Sequence, residues 1–411
     1  MLINKNQQIC LYLLCFFSLI ISLIMEENSS GGSRLDNEIT RQFVDKFSIN
    51  FSYGIKYFVN SGQVQSPVFY IIVSYSEKIL GKFFLKYFYL FISALVPLIF
   101  YTSLKKKFQN IDKNYLFLIS LIIFLSPFFR SSTVWMTTDN LAILFYILSI
   151  SKYLSLKKNN STKNIILCLI YLSLAVYIRQ YYIIFFIFFF IKFYNILSLK
   201  KLFSFLLFEI LIFLPLIWYY YYFLEINFSK LNTFESTTSP FELNFFKNLL
   251  IFLSLYFFYT IPLYTNIFLK IKKDIIKYFF YILILFLIFL SIYSINGIIF
   301  GEFGGGFFVK ISKILNRKEL FFIASFVGAF LLCKNMNTNN IIVYICLILA
   351  FPTVIIYQKY YDPLLILTIF TITEKDTINE LIQMVKINLK FLYLYFFSFL
   401  ILCNLYYLYK I

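Results

Sequence analysis

Apolar segments long enough to cross a membrane recur along the whole 411-residue chain, and short basic or polar stretches separate them. A membrane-spanning helix needs about 20 predominantly apolar residues. Hydrophobic residues supply 61% of the chain and charged residues only 14%. One soluble core cannot bury such a share, because a folded domain still needs a polar surface. The pattern predicts an integral membrane protein and excludes a soluble enzyme and a secreted disulfide scaffold.

The net charge of +18 does not indicate a nucleic-acid-binding protein, because Lys and Arg lie in small clusters between the apolar runs. The chain contains no His, which excludes Ser-His-Asp and Cys-His catalysis and His-rich metal sites. The six cysteines lie in or beside apolar runs without a C-x-x-C pair, so we interpret them as small apolar residues.

The fold predicted from these runs is an all-α, polytopic transmembrane helix bundle of about 11–13 spans. The predicted spans lie near 9–25, 83–104, 114–129, 139–156, 165–178, 181–198, 202–224, 247–269, 277–300, 319–334, 341–356, 363–373 and 390–409. The first run has no small-residue cleavage site, which favours an uncleaved span over a signal peptide. The segment 67–80 is apolar but carries Glu77 and Lys78, so it is predicted to lie at the membrane interface.

The distribution of lysines predicts the orientation, since loops on the inner side of a membrane are rich in Lys and Arg. With the N-terminus inside, the short inner loops are basic and most acidic residues fall outside. The chain is then one integral membrane domain, 1–411, with outer loops at 26–81, 225–246 and 301–318. Within the first of these loops, Phe43, Phe47, Phe51 and Ile55 recur every four residues, which predicts a surface helix.

Several polar groups fall on the outer side in this orientation. Asp36 and Glu38, in the first outer loop, have the chemistry of a general base or a cation site; the alternative is a solvated loop that caps the following helix. Asp139 ends a polar turn and begins the next span, and the alternative is an interface turn. Arg179 interrupts a long apolar stretch, and its planar guanidinium suits a phosphate or a carboxylate.

A further polar segment breaks a later pair of spans, and its alternative interpretation is an interfacial aromatic belt. It contains Lys359, Tyr360, Tyr361 and Asp362 before a proline. Glu209 is the one acid that falls inside a predicted span. We expect it near the inner end of that span, reaching solvent or pairing with a lysine.

The order of these motifs resembles the GT-C superfamily, the polytopic glycosyltransferases that take a sugar from a polyprenyl-phosphate carrier. It is locally similar to the terminal α-1,2-glucosyltransferases that complete the dolichol-linked oligosaccharide. The resemblance rests on Asp36 and Glu38, on Ser66-Pro67-Val68-Phe69-Tyr70, on Thr138-Asp139, on Arg179-Gln180 and on Lys359-Tyr360-Tyr361-Asp362-Pro363. The chain departs from the family where Asn37 separates the two acids, and where Gln65-Ser66-Pro67 stands in place of His-Pro-Pro.

The resemblance implies sugar transfer from a polyprenyl-phosphate (dolichol-phosphate) donor to a glycan, lipid or protein acceptor, by inverting displacement at the outer face. Asp36 would be the catalytic base and Glu38 its alternate. Arg179 and Lys359 would bind the donor phosphate. Substrate contacts would come from Asp139, Gln180, Tyr181, Tyr360, Tyr361 and Asp362.

The implied partners are the lipid-linked donor, the acceptor and the lipid bilayer, without nucleic acid; no cofactor is implied, and a need for a divalent metal stays open. The expected location is a bacterial inner membrane with a periplasmic site, or an endoplasmic-reticulum membrane with a lumenal site. The competing class is a flippase or polymerase of surface polysaccharide assembly. A secondary transporter is disfavoured, because the ionisable residues lie at predicted helix ends.

Overall fold

A computed structural model describes residues 4–61, 65–156, 161–222, 245–264, 304–337, 340–353 and 355–408, together with positions 279, 283, 286 and 287. These residues are helical, and no β-strand occurs among them, which confirms the all-α prediction. By internal contacts the chain divides into two compact units, where sequence predicted one domain. Unit 1 comprises Met1–Pro240 with Phe396–Ile411, and unit 2 comprises Phe241–Tyr395.

Unit 1 begins with a long helix, continues with the short helices of the predicted first outer loop and then contains its remaining helices. Its α-helices are α1 (Lys5–Ile24), α2 (Ser33–Ile49), α3 (Phe51–Asn60), α4 (Val68–Lys107), α5 (Lys113–Leu121), α6 (Pro127–Trp135), α7 (Thr138–Leu156), α8 (Thr162–Ile178), α9 (Phe185–Tyr194) and α10 (Leu199–Tyr222). Two 3₁₀ segments, Ile122–Leu125 and Gln180–Ile184, join α5 to α6 and α8 to α9.

Unit 2 is built from shorter helices. They are α11 (Phe245–Tyr264), α12 (Gly306–Ile314), α13 (Glu319–Asn335), α14 (Ile341–Leu349), α15 (Leu364–Thr371) and α16 (Lys375–Leu408), whose residues up to Tyr395 belong to this unit. A 3₁₀ turn, Gln358–Tyr360, precedes α15. The predicted loop 225–246 and the predicted span 277–300 lie almost wholly outside the described residues.

Four described helices are long and apolar enough to cross a membrane: Lys5–Ile24, Val68–Lys107, Leu199–Tyr219 and Val385–Tyr407. A fifth span results if Lys113–Leu125 and Pro127–Trp135, which meet at 62°, are one broken span. Other predicted spans form shorter helices. Ile341–Leu349, with 9 residues, covers about 14 Å at about 1.5 Å per residue, roughly half of a hydrocarbon core. In the described residues the structure therefore has fewer spans of full length than the sequence predicts.

The first outer loop contains helices, as its four-residue spacing predicts, but Asn50 divides them. The Asn50 side chain accepts a hydrogen bond from the Ser52 amide at 2.8 Å and caps α3. Phe43 and Phe58 pack edge to face at 4.8 Å, and Tyr70 of α4 closes the cluster at 5.2 Å from Phe43. This aromatic cluster fixes α2 and α3 against the start of α4.

Gly81 separates the predicted interface segment from the span that follows it. Its φ of +77° and ψ of 156° are not helical, and L-residues with a side chain rarely adopt such a φ. Val68–Leu80 therefore precedes the break, and we treat it as outside the span, which runs from Lys82.

Side-chain contacts within unit 1 show which helix ends lie together. Lys106, at the end of α4, donates to the Ser151 hydroxyl near the end of α7 at 2.7 Å. Gln8, at the start of α1, donates to Asn114 at the start of α5 at 2.6 Å. These contacts mark the lysine-rich end. The first outer loop, the start of α7 and the end of α8 lie at the other end, which is called the outer end below.

Candidate functional site

Arg179 lies where α8 ends at the outer end of unit 1. Its backbone is extended, with φ −141° and ψ 105°, and the 3₁₀ segment Gln180–Ile184 follows directly. Its Nη2 lies 2.5 Å from Oδ1 of Asp139, and its Nε donates to the Thr138 hydroxyl at 3.1 Å. The guanidinium also lies 5.8 Å from the centre of the Tyr181 ring. The break in the helix thus positions Arg179 beside the first residues of α7.

Asp139 occupies the first turn of α7, where the helix dipole favours a negative charge. The Thr137 hydroxyl donates to its Oδ2 at 3.0 Å. Ser132 in turn lies 2.5 Å from the Thr137 hydroxyl, and the Tyr89 hydroxyl donates to the Thr137 carbonyl. Asp139 therefore holds Arg179 in a fixed position with support from three neighbouring hydroxyl groups.

Asp36 lies in the first turn of α2, and its side chain is half-buried. Tyr70, which is 4% exposed, lies within electrostatic range of both Asp36 and Arg179. Burial raises the pKa of the Tyr70 phenol above its ordinary value, the charge of Arg179 lowers this pKa and the charge of Asp36 raises it. Two predicted residues that are more than a hundred positions apart in the sequence therefore both affect one buried phenol.

The Glu38 side chain lies on a different face of α2 from the Asp36 side chain. Residues two positions apart on a helix do not face each other, and Glu38 is exposed where Asp36 is half-buried. Its Oε1 lies 3.6 Å from Nε of Arg34 in an exposed i,i+4 pair. Of the two predicted acids, Asp36 is the one in electrostatic reach of Tyr70.

Arg130 forms a further ion pair, with a partner that the sequence pattern does not indicate. Its Nε lies 3.0 Å from Oε2 and 3.2 Å from Oε1 of Glu27. Its other nitrogens donate to the Ser18 hydroxyl at 3.0 Å and to the Phe124 carbonyl at 3.3 Å. The Trp135 indole donates to the Glu27 carbonyl at 2.9 Å. Arg130 therefore ties α1, the start of the first loop and α6 together.

The late motif forms its own cluster in unit 2. Gln358 donates to the Tyr259 hydroxyl at 3.0 Å and accepts from the Phe307 amide at 2.9 Å. The Gly305 amide donates to the Ile356 carbonyl at 2.7 Å. A Cβ on Gly304 would lie 2.7 Å from that carbonyl oxygen, and the φ of Gly304 is +81°. The glycine turn is thus needed for close approach of the two backbones.

The predicted substrate residues of this cluster differ in exposure. The Lys359 ammonium lies 5.3 Å from the Tyr357 ring centre, and Tyr360 stacks on Phe351 at 5.1 Å. Both side chains are partly exposed. Tyr361 is 0% exposed, and Asp362 is 3% exposed. Tyr361 packs in the core of unit 2 and has no ring face open to a sugar in this structure.

No group of three His, Cys, Asp or Glu residues suited to a metal ion occurs in the part of the chain that the structure describes. No family model, no curated protein and no solved structure matches the chain. The functional interpretation therefore rests on the residues and their geometry.

Proposed function

We propose that the protein is a membrane glycosyltransferase of the GT-C kind. It would transfer a sugar from a polyprenyl-phosphate donor to an acceptor hydroxyl at the outer face, periplasmic or lumenal. The observation that carries this proposal is the ion pair of Arg179 with Asp139 at an interrupted helix end, with Asp36 in electrostatic range of the same buried phenol, Tyr70. In the displacement that we propose, a carboxylate removes a proton and a guanidinium stabilises a leaving anion.

In this mechanism the Asp36 carboxylate accepts the proton of the acceptor hydroxyl. The hydroxyl oxygen forms a bond to the anomeric carbon, while the bond from that carbon to the phosphate oxygen breaks with inversion. The lipid phosphate leaves with the negative charge, which the Arg179 guanidinium stabilises. Asp139 positions Arg179, because its carboxylate lies 2.5 Å from Nη2.

Gln180 and Tyr181 follow Arg179 in the 3₁₀ segment, and in this proposal they would contact the donor beside the phosphate. Glu38 remains the alternate base in this proposal. Lys359, Tyr360 and Asp362 belong to unit 2. On the sequence resemblance alone, Lys359 is proposed to bind the donor phosphate, and Tyr360 and Asp362 are proposed as substrate residues. Tyr361 supports Tyr360 from the core, since both rings pack on Phe351.

The test is sugar transfer in isolated membranes that contain the protein, with radiolabelled polyprenyl-phosphate sugars as donors. Asp36→Asn is expected to lower transfer by about a hundredfold or more, since a general base contributes about 10²–10⁴-fold. Glu38→Gln is the matched control, because it removes an exposed carboxylate two residues away on the same helix. Equal protein levels are checked by quantitative blotting.

Full transfer by Asp36→Asn would reject Asp36 as the base. Loss of transfer in Glu38→Gln with Asp36→Asn unaffected would move the base to Glu38. Absence of transfer from every lipid-phosphate donor, with folded wild-type protein and varied acceptors, would reject the enzyme and favour the flippase or polymerase of surface polysaccharide assembly.

A further inference from the structure

Glu209 is a carboxyl group in the middle of an apolar helix. Position 209 lies midway between Leu199 and Tyr219, the ends of one candidate span, and thus about 15 Å from each end at about 1.5 Å per residue. The side chain is 4% exposed. In the described residues no lysine or arginine lies within ion-pair distance of it. The prediction that Glu209 reaches solvent or a lysine near the inner end is therefore wrong.

The carboxyl faces the packed side of α10. Phe205, Glu209, Leu216 and Tyr219 form a buried stripe on this helix, while most of its other side chains are exposed. Oε2 of Glu209 accepts a hydrogen bond from the Ser173 hydroxyl of α8 at 2.7 Å. Oε1 is enclosed and makes no hydrogen bond to any described residue. One carboxyl oxygen of Glu209 thus has a hydrogen-bond donor among the described residues, and the other has none.

An ionised carboxylate in such a place is strongly disfavoured, because neither water nor a cation compensates its charge. A neutral carboxylic acid avoids that cost and still accepts the hydrogen bond from Ser173. We propose that Glu209 and Ser173 form a proton-binding site in the apolar layer of unit 1, in which the carboxyl keeps its proton at neutral pH. This site is separate from the outer-end cluster and has no part in the proposed transfer reaction.

The helices packed against Glu209 bring no compensating charge to it. Cys168 of α8 is in electrostatic reach, and its thiol lies 3.5 Å from the Ser149 hydroxyl. The Tyr177 hydroxyl of α8 donates to the Ile212 carbonyl at 2.6 Å. The remaining titratable groups on α8, α9 and α10 are Lys163, Tyr171, Lys192, Tyr194, Lys200, Lys201, Tyr219, Tyr220, Tyr221 and Tyr222.

A hydrophobic carbodiimide tests the proposal, because it partitions into the membrane and reacts with protonated carboxyl groups. The carboxyl proton moves to one nitrogen of the reagent, and the carboxylate oxygen bonds to its central carbon. The acyl group then migrates from oxygen to nitrogen and leaves a stable N-acylurea. No group leaves, and nothing is oxidised or reduced, so the protein gains the mass of one reagent molecule.

Native membranes are treated at neutral pH with dicyclohexylcarbodiimide or with a water-soluble carbodiimide, and the peptides are analysed by mass spectrometry. Glu209 is expected to react about tenfold or more with the hydrophobic reagent relative to the water-soluble one, since the site excludes water. Reaction should fall as the pH becomes alkaline. Glu38, an exposed carboxyl, is the internal control and should not show this preference.

Ser173→Ala sharpens the test, because it removes the hydroxyl that donates to the carboxylate and therefore disfavours the ionised form further. Reaction at Glu209 should then persist to higher pH than in the wild type. Glu209→Gln should abolish the modified peptide, and size-exclusion chromatography checks that each variant is folded. An unmodified Glu209 in folded wild-type protein, or equal reaction with both reagents, would overturn the proposal.

Discussion

Arg130 and Arg179 are two arginines in one unit with the same kind of partner and nearly the same burial. The side chain of Arg130 is 10% exposed and that of its partner Glu27 is 9% exposed; for Arg179 and Asp139 the fractions are 11% and 13%. The difference lies in what else surrounds them. Arg130 bonds to α1, to the first loop and to the segment before α6. Arg179 bonds to Thr138 and Asp139, adjacent residues at one helix start, and its guanidinium lies 5.8 Å from the centre of the Tyr181 ring.

This difference indicates two uses of the same chemistry. The bonds of Arg130 connect segments distant in sequence, so its removal would release several elements at once. Arg179 lies at an interrupted helix end, and its charge and the charge of Asp36 both affect the pKa of the buried Tyr70 phenol. Burial and charge alone therefore do not distinguish Arg130 from Arg179; we propose that their roles differ, because Arg130 links segments that are distant in sequence.

The largest expected effect is on folding, at Arg130. Arg130→Gln leaves Glu27 buried without its cation, and breaking one side of a buried ion pair costs about 3–5 kcal/mol. We expect loss of most folded protein after extraction, measured by fluorescence-detected size exclusion after a heating series. The double variant Arg130→Gln with Glu27→Gln should be less destabilised than the two single changes combined. A wild-type melting profile for Arg130→Gln would contradict the structural role.

The next effect is on catalysis, at Arg179. Arg179→Lys keeps the positive charge but loses the planar fork that suits a phosphate. We expect a melting profile near that of the wild type and transfer reduced by about 10²–10³-fold, the usual effect of removing one donor to a developing anion. Sugar transfer and melting are measured on the same preparation. Wild-type transfer by Arg179→Lys would show that its geometry has no part in the reaction.

The sequence predicted Asp36, Asp139 and Arg179 as site residues, but it did not predict the ion-pair partner of Arg130. Asp139 and Arg179 border or interrupt apolar runs, and Asp36 lies in the long polar loop after the first predicted span. Alternating spans bring such loops and borders to one end. The partner of Arg130 could not be found in this way, since Glu27 lies 103 positions away and looks like any acid beside a span. The difference between Arg130 and Arg179 can be seen in the structure but not in the sequence.

Some details of the fold are also not visible in hydropathy. The apolar run around residues 114–129 predicts one span, and the structure divides this region into two helical segments that meet at 62° near Ser126, whose side chain caps α6 through the Phe129 amide at 3.0 Å. Glu209 was placed near a helix end because hydropathy alone does not mark where a span begins. Hydropathy indicates that a segment is apolar; caps and tertiary contacts decide where its helix starts and breaks.

A smaller effect on transfer is expected at Asp139. Asp139→Asn keeps a hydrogen-bond acceptor for Arg179 but removes its charge, and hydrogen bonds that involve charged groups contribute about 1.5–3 kcal/mol. Transfer should fall by roughly tenfold to a hundredfold, less than in Arg179→Lys. The double variant should be no worse than Arg179→Lys alone if Asp139 acts through Arg179. Additive losses in the transfer assay would instead indicate a separate contact of Asp139 with substrate.

The smallest effect is expected at the third pair, Arg34 and Glu38. Their side chains are 57% and 60% exposed and lie one helical turn apart, with 3.6 Å between Nε and Oε1. Exposed pairs of this kind contribute about 0.3–0.5 kcal/mol, because water and salt screen the charges. Arg34→Ala should therefore leave both transfer and the melting profile close to the wild type. Arg34 also lies 5.8 Å from the Trp135 ring. Arg34→Lys keeps a cation for both contacts and is therefore the charge-preserving control. A large loss in Arg34→Ala that Arg34→Lys restores would show that a cation on this face of α2 takes part in binding substrate, and the contrast drawn between buried and exposed pairs would then fail.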